Sequence, residues 1–170
     1  PMPSKQQWYW DDNNMTAPST TLTQPTTLTA PTFIGNYAFA TAKLREIITR
    51  NVSAKLHAGE RRDGFFLSGG IDSSIVCAIA ASMRDRPITT FTVGFSADSP
   101  DIQAARMVAK HIGSDHHEYI VDYSAGINSL HDIVTTLGSY CQTTVRASTP
   151  MFLLLECIKR EYPDIYVLYT

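Results

Sequence analysis

Asp63-Gly64-Phe65-Phe66-Leu67-Ser68-Gly69-Gly70-Ile71-Asp72-Ser73-Ser74-Ile75-Val76 is the stretch whose reading decides the fold. Phe65, Phe66 and Leu67 form a short apolar run of the kind that strands buried on both faces show. The run breaks at Ser68-Gly69-Gly70, and apolar residues then recur at helical spacing: Ile75, Val76, Ile79, Ala80 and Met83. A strand, a glycine turn and a helix start together make a nest of backbone N–H groups at the positive end of a helix dipole, a geometry suited to phosphate. Glycines let the main chain approach a ligand closely, and Ser68, Ser73 and Ser74 add hydroxyls. Asp72 is the odd member: a carboxylate in an anion cradle makes sense if it holds a divalent cation that the phosphates share. The ordinary alternative is a glycine turn before a serine-capped helix in any α/β protein.

Two nucleotide motifs are missing. No Gly-Lys-Ser/Thr follows the loop, which excludes a Walker A reading, and the chain contains no G-x-G-x-x-G. With 170 residues the chain suffices for one domain with a sizeable core. A formal charge of −2, without basic clusters among aromatics, argues against nucleic-acid binding. No apolar run reaches the roughly 20 residues of a membrane span, and no signal-peptide pattern opens the chain. Cys77, Cys141 and Cys157 are odd in number and lack metal-ligand spacing, as expected of a reduced cytoplasmic protein.

Outward from the loop, residues 1–35 read as an N-terminal segment without a core of its own. It carries Trp8-Tyr9-Trp10, then a threonine- and proline-rich linker from Asn13 to Thr32. The domain proper is expected over 36–170. Leu44, Ile47, Ile48, Val52 and Leu56 mark one face of a helix from about Tyr37 to His57, ended by Gly59, and Glu60-Arg61-Arg62 forms a charged turn. Arg61 and Arg62 read better as solvated turn charges than as phosphate ligands. Ile88 to Val93 reads as a second strand, with Gly94 at the carboxyl end, where open parallel sheets bind ligands. Ser99-Pro100-Asp101 starts a helix that buries Ile102, Ala105, Val108, Ala109 and Ile112 and stops at Gly113.

A third strand is expected from Glu118 to Val121. His111, His116, His117 and Glu118 have no standard zinc spacing and read as strand-entry residues. One helix from about Ser124 to Leu137 would bury Ile127, Leu130, Ile133, Val134 and Leu137. Thr143 to Pro150 is polar with a single cation, Arg146, and precedes a helix read as capped by Ser148 or Thr149, with Pro150 in its first turn. That arrangement suits an anionic group, although an ordinary cap beside a surface arginine fits the spacing as well. A last strand runs from Ile165 to Leu168. The order of elements calls for an α/β fold, a doubly wound parallel sheet with helices on both faces.

The loop resembles the pyrophosphate-gripping loop of the N-type ATP pyrophosphatases, of the adenine nucleotide alpha hydrolase-like fold. Phe91-Thr92-Val93-Gly94, Ser99-Pro100-Asp101, Ala104-Ala105-Arg106, His111 to Glu118 and Thr143 to Met151 narrow the likeness. From Tyr37 to Leu168 the chain resembles the synthetase domain of glutamine-hydrolysing asparagine synthetase. The resemblance implies that ATP and Mg²⁺ activate aspartate as aspartyl-adenylate with release of pyrophosphate, and that ammonia then displaces AMP to give asparagine. Ser68, Gly69, Gly70, Ser73 and Ser74 would hold pyrophosphate, Asp72 the Mg²⁺, and Phe66, Leu67, Val93 and Gly94 the rest of the nucleotide. Arg146, with Thr144 and Ser148, would lie near aspartate and the adenylate.

Departures from the family pattern accompany it. The family's glutaminase domain has no counterpart before Tyr37, so the chain is expected to be incomplete at both ends and not to generate ammonia in place from glutamine. The family's Ser-Gly-Glu-Gly segment and acidic pair, with a second metal-binding carboxylate, would follow Leu168, where Tyr169-Thr170 stands. Gly138 and Cys141 occupy positions that are acidic in the family. A catalytically incomplete nucleotide-binding or regulatory fragment is therefore one alternative, and a related adenylating amide ligase such as a β-lactam synthetase another. An uncovered apolar edge at the last strand would favour self-association or pairing with a full-length synthetase.

Overall fold

Phe65 and Phe66 point to opposite faces of one strand, and the fold is built on that alternation. The computed structural model describes residues 9–11, 14–16, 37–56 and 62–170. The chain divides into two units, Pro1–Ala40 and Thr41–Thr170. In the first, β1 (Tyr9–Asp11) pairs antiparallel with β2 (Asn14–Thr16), so part of the stretch read as linker forms a strand. Trp8, the remaining linker residues, Gly59, Glu60 and Arg61 lie outside the described residues.

Helix α1 (Tyr37–Lys55) has its first four residues in the first unit and the rest in the second, and buries no residue fully; Leu56, just beyond it, packs against the core. Then follow β3 (Arg62–Phe66), α2 (Ile71–Ser82), β4 (Thr89–Gly94), α3 (Pro100–Ile112), β5 (Asp115–Ile120), α4 (Tyr123–Asn128), α5 (Leu130–Leu137), α6 (Gln142–Glu161) and β6 (Ile165–Tyr169). The four strands pair in the order β5-β4-β3-β6, all parallel. Phe65, Leu67, Cys77, Ala80, Ile88, Ala105 and Ala109 make the core between the sheet and α2 and α3. Phe91, Leu154 and Ile158, with Phe66 and Leu168 beside them, make the core under α6. Helices thus cover both faces, the doubly wound arrangement expected from the order of elements. The chain changes face between β5 and β6, so the switch point lies between β3 and β6, at whose carboxyl ends such sheets take ligands.

Four expectations need correction. The helix read from Ser124 to Leu137 is two helices, broken at Ser129, and buries Ile133 while leaving Ile127 67% and Leu130 41% exposed. On α2 the buried residues are Cys77 and Ala80, whereas Ile75 and Met83 are exposed. Burial pushes the Cys77 thiol up to about 12, so it behaves as an apolar side chain. The third strand starts at Asp115, which puts both adjacent histidines inside the sheet. Arg62 lies in β3 and not in a turn; its guanidinium is 3.2 Å from Asp115 Oδ2 and 3.5 Å from Asp164 Oδ2, at the opposite end of β3 from the glycine loop.

The histidines find partners there. Nδ1 of His116 lies 2.8 Å from Thr90 Oγ1, which is 2.9 Å from Ser114 Oγ; Nδ1 of His117 lies 2.8 Å from the Tyr162 hydroxyl. Burial holds the His116 pKa below its ordinary 6.5, outweighing the nearby Glu118 carboxylate. A folded pKa below the unfolded one means that the unfolded chain binds the proton more readily. The stability due to neutral His116 is therefore complete above pH 6.5 and declines as the pH falls below it. Urea midpoints measured from pH 8 to pH 5 should fall on the acid side, and His116→Asn, which can keep the Thr90 contact, should flatten that decline.

Candidate functional site

The glycine loop is a local consequence of its sequence. After Phe66 the chain leaves the strand, but Leu67 N–H still donates to Phe91 C=O at 2.8 Å, which ties the loop's first residue to β4. Gly69 then takes φ +77°, the left-handed region that L-residues with a Cβ avoid. Space is as strict as conformation there. A Cβ on Gly69 would lie 2.5 Å from the Ala104 methyl and 2.6 Å from the Ala105 backbone nitrogen, so α3 touches the loop. Gly70 is the N-cap of α2, in extended conformation.

Hydroxyls close the loop on itself. Gly70 N–H donates to Ser68 Oγ (3.3 Å), which lies 3.0 Å from Ser73 Oγ; Ser73 and Ser74 hydroxyls donate to Gly70 C=O at 3.2 and 2.7 Å. The α2 amino terminus and its serine hydroxyls therefore stand at the carboxyl end of β3, with Ser68, Gly70 and Asp72 exposed. Such an arrangement stabilises an anion through N–H dipoles and hydroxyl donors. Asp72 is the acidic residue in the first turn of α2. Among the described residues no group of three or more His, Cys, Asp or Glu side chains could hold a metal ion. A single carboxylate still fits Mg²⁺, which takes one or two carboxylates and fills its other positions with water and phosphate oxygens.

Val93 and Gly94 end β4 on the same edge of the sheet. Gly94 accommodates α3: a Cβ there would lie 2.8 Å from Ile102 Cγ1. The helix itself starts as its sequence indicates, with Ser99 Oγ accepting from Ile102 N–H at 3.4 Å, Pro100 in the first turn and Gly113 at φ +66° as stop.

Arg146 is placed differently from the sequence reading. Helix α6 starts at Gln142 after its cap Cys141, seven or eight residues before the expected cap at Ser148 or Thr149, and continues through Pro150. Thr144, Arg146 and Ser148 therefore lie within a helix. Thr144 and Ser148, four apart, share a face; Arg146, two residues from each, does not. The Thr149 hydroxyl donates to Val145 C=O at 2.8 Å, and Pro150 has no N–H to offer the Arg146 carbonyl. Arg146, Thr149 and Pro150 line a cavity of about 370 Å³ with Phe95, Tyr123, Ile127 and Leu130. Phe95 follows Gly94, so this cavity too opens on the carboxyl side of β4. Its Phe95 and Tyr123 rings stack at 4.4 Å, a pairing that sequence reading missed because neither residue belongs to a motif. The Thr144 hydroxyl, with the Thr143 and Thr144 amides, holds the exposed Cys141 thiol below its ordinary range.

A family model and the curated relatives point to one family. The family model described as asparagine synthase matches residues 43–163. Asparagine synthetase (glutamine-hydrolyzing) of Gallus gallus is 37% identical over 126 residues, covering 71% of this chain and 22% of its own. The probable asparagine synthetase (glutamine-hydrolyzing) of Acanthamoeba polyphaga mimivirus is 42% identical over 128 residues, covering 74% and 22%. The chain thus spans about a fifth of the length of these curated relatives. Among solved structures, NMN synthetase from Francisella tularensis aligns at a TM-score of 0.47 and 15% identity, covering 74% of this chain and 52% of that one. With the family model matched over more than half of its length, the chain belongs to the asparagine synthase family.

Proposed function

We propose that this chain carries out ATP-dependent adenylation of aspartate followed by amidation with ammonia, in the cytoplasm. The observation that carries the reading is the Ser68–Ser74 loop: Gly69 at φ +77° beneath α3, and the α2 amino terminus with three serine hydroxyls at the carboxyl end of β3. In the first step an oxygen of the aspartate side-chain carboxylate attacks the α-phosphorus of ATP, and the bond to the bridging oxygen breaks. The loop N–H groups would receive the charge that develops on departing pyrophosphate, joined by the Ser68, Ser73 and Ser74 hydroxyls once they turn from their bonds within the loop. In the second step ammonia attacks the acyl carbon, AMP leaves, and the nitrogen loses a proton to give the amide.

Phe66 and Leu67 on one side, and Val93 and Gly94 on the other, flank the loop and would hold the nucleoside. Arg146 would neutralise the adenylate or the aspartate α-carboxylate; Thr144 and Ser148 face elsewhere on α6 and would have a lesser part. Asp72 would hold Mg²⁺, which when bound neutralises phosphate charge.

Among the described residues Asp72 belongs to no group of three or more potential metal ligands, which favours one other reading, a module that binds nucleotide without turnover. The experiment is release of AMP and pyrophosphate from ATP with Mg²⁺, aspartate and ammonium, compared between the wild type and Asp72→Asn. Aspartate-dependent release that falls by two orders of magnitude or more in the variant is expected. Release that ignores aspartate, or that Asp72→Asn leaves unchanged, would contradict the assignment. Binding of ATP without any release would select the second reading.

A further inference from the structure

We infer that Ala104, a residue of α3, is a positioning residue for the phosphate loop, its methyl setting where Gly69 can lie. This inference rests on the reading that the loop holds phosphate. Gly69 and Ala104 are far apart in sequence, and the glycine meets the Ala104 methyl and the α3 backbone beside it: a Cβ on Gly69 would lie 2.5 Å from Ala104 Cβ, 2.6 Å from Ala105 N and 2.7 Å from Ala104 C. None of these three nearest atoms is the end of a flexible side chain that could absorb a change.

The helix cannot retreat. Ile102 and Ala105 are 0% exposed and Ala109 4%, all against the sheet. Gly94 admits Ile102 so closely that a Cβ there would lie 2.8 Å from Ile102 Cγ1. Arg106 forks onto Glu118 of β5, Nε to Oε1 at 2.8 Å and Nη2 to Oε2 at 2.7 Å, and holds that carboxyl below the usual range. Held at its start by the Ser99 cap and along its length by these contacts, α3 is the fixed member and the loop the adjustable one.

A larger residue at 104 therefore displaces Gly69 from its left-handed conformation. That displacement separates Ser68 Oγ from Gly70 N–H (3.3 Å) and from Ser73 Oγ (3.0 Å), the bonds that close the cradle. Because α3 also abuts Gly94, the same helix fixes both the β3 loop and the carboxyl end of β4. Ala104 touches no ligand in this account; it acts through Gly69.

The test compares Ala104→Val, Ala104→Gly and Ala109→Val in the full chain. Ala109→Val adds the same volume to the same helix, at a buried place away from the loop. Three quantities are read: amide signals of Gly69, Gly70 and Ser73 by NMR, affinity for inorganic pyrophosphate by calorimetry, and melting temperature. Ala104→Val is expected to move the loop signals and weaken pyrophosphate binding by about tenfold or more. Ala104→Gly should keep affinity within about twofold, a difference of only ~0.4 kcal/mol. Ala109→Val should lower the melting temperature and leave signals and affinity as they are. If Ala104→Val does not fold, Ala104→Ser, with one added heavy atom, is read in the same way. Unmoved loop signals and unchanged affinity in the position-104 variant would overturn the inference, as would Ala109→Val shifting them equally. A wild type that binds no pyrophosphate would count against the phosphate reading, while the loop signals would still decide whether Ala104 positions Gly69.

Discussion

Gly69→Ala should abolish measurable pyrophosphate binding and destabilise the fold by about 2–5 kcal/mol, the sum of two separate costs. A Cβ at φ +77° costs roughly 1–2 kcal/mol in backbone conformation alone. The same Cβ would stand 2.6 Å from the Ala105 backbone nitrogen, and overpacking of this kind costs about 1–3 kcal/mol more. Relief requires the loop to move off α3, which opens the Ser68–Ser73 contact, so stability and binding are lost together. Gly70→Ala is the internal comparison. At φ −69° its Cβ would meet only Ser68 Oγ, at 3.4 Å, and the cost should stay under about 1 kcal/mol. Urea unfolding and calorimetry on the two variants check this pair, and equal losses in both would contradict it.

Phe91→Ala should have the other large effect, about 3–5 kcal/mol of stability, as for other large buried aromatics. Its ring is 0% exposed at the centre of the α6 core, stacked at 5.5 Å on His117 and edge-on at 5.2 Å to Tyr162. Gly64 makes room for it: a Cβ there would lie 2.9 Å from Phe91 Cε2 and 2.6 Å from Leu168 Cδ2, so position 64 has no side chain to fill the void. The backbone bond from Leu67 N–H to Phe91 C=O does not depend on the ring. The variant should therefore lose denaturant resistance while the molecules still folded bind pyrophosphate as the wild type does. A urea midpoint close to the wild-type value would show that the core is not built around this ring.

What the sequence made legible is what is local. The strand, glycine turn and helix start at Phe65–Val76, and the Ser99, Pro100 and Gly113 signals of α3, depend on residues within a few positions of one another. They could be read directly. Pro150 misled because a proline after Ser-Thr is a common helix start; here Thr149 bonds back to Val145 and α6 runs on. His116 and His117 hid the first half of β5, since polar residues suggest a turn until Thr90 and Tyr162 are seen to pair with Nδ1 of each ring. The exposed Ile127 and Leu130 could not be told from buried ones, because helical spacing shows a face but not whether anything covers it. The contact of Gly69 with Ala104, like the order of the strands, is a tertiary matter that no periodicity carries.

The most direct test of the account is exchange of labelled pyrophosphate into ATP, with Mg²⁺ and aspartate present and ammonia withheld. Exchange requires that the chain form aspartyl-adenylate reversibly and keep it bound while pyrophosphate leaves and labelled pyrophosphate takes its place, which joins the loop, the nucleotide and the carboxylate in one signal. Exchange that depends on aspartate and disappears in Gly69→Ala is the predicted result. Exchange without aspartate, or none from a folded wild type that binds ATP, would contradict the adenylation of aspartate by this chain.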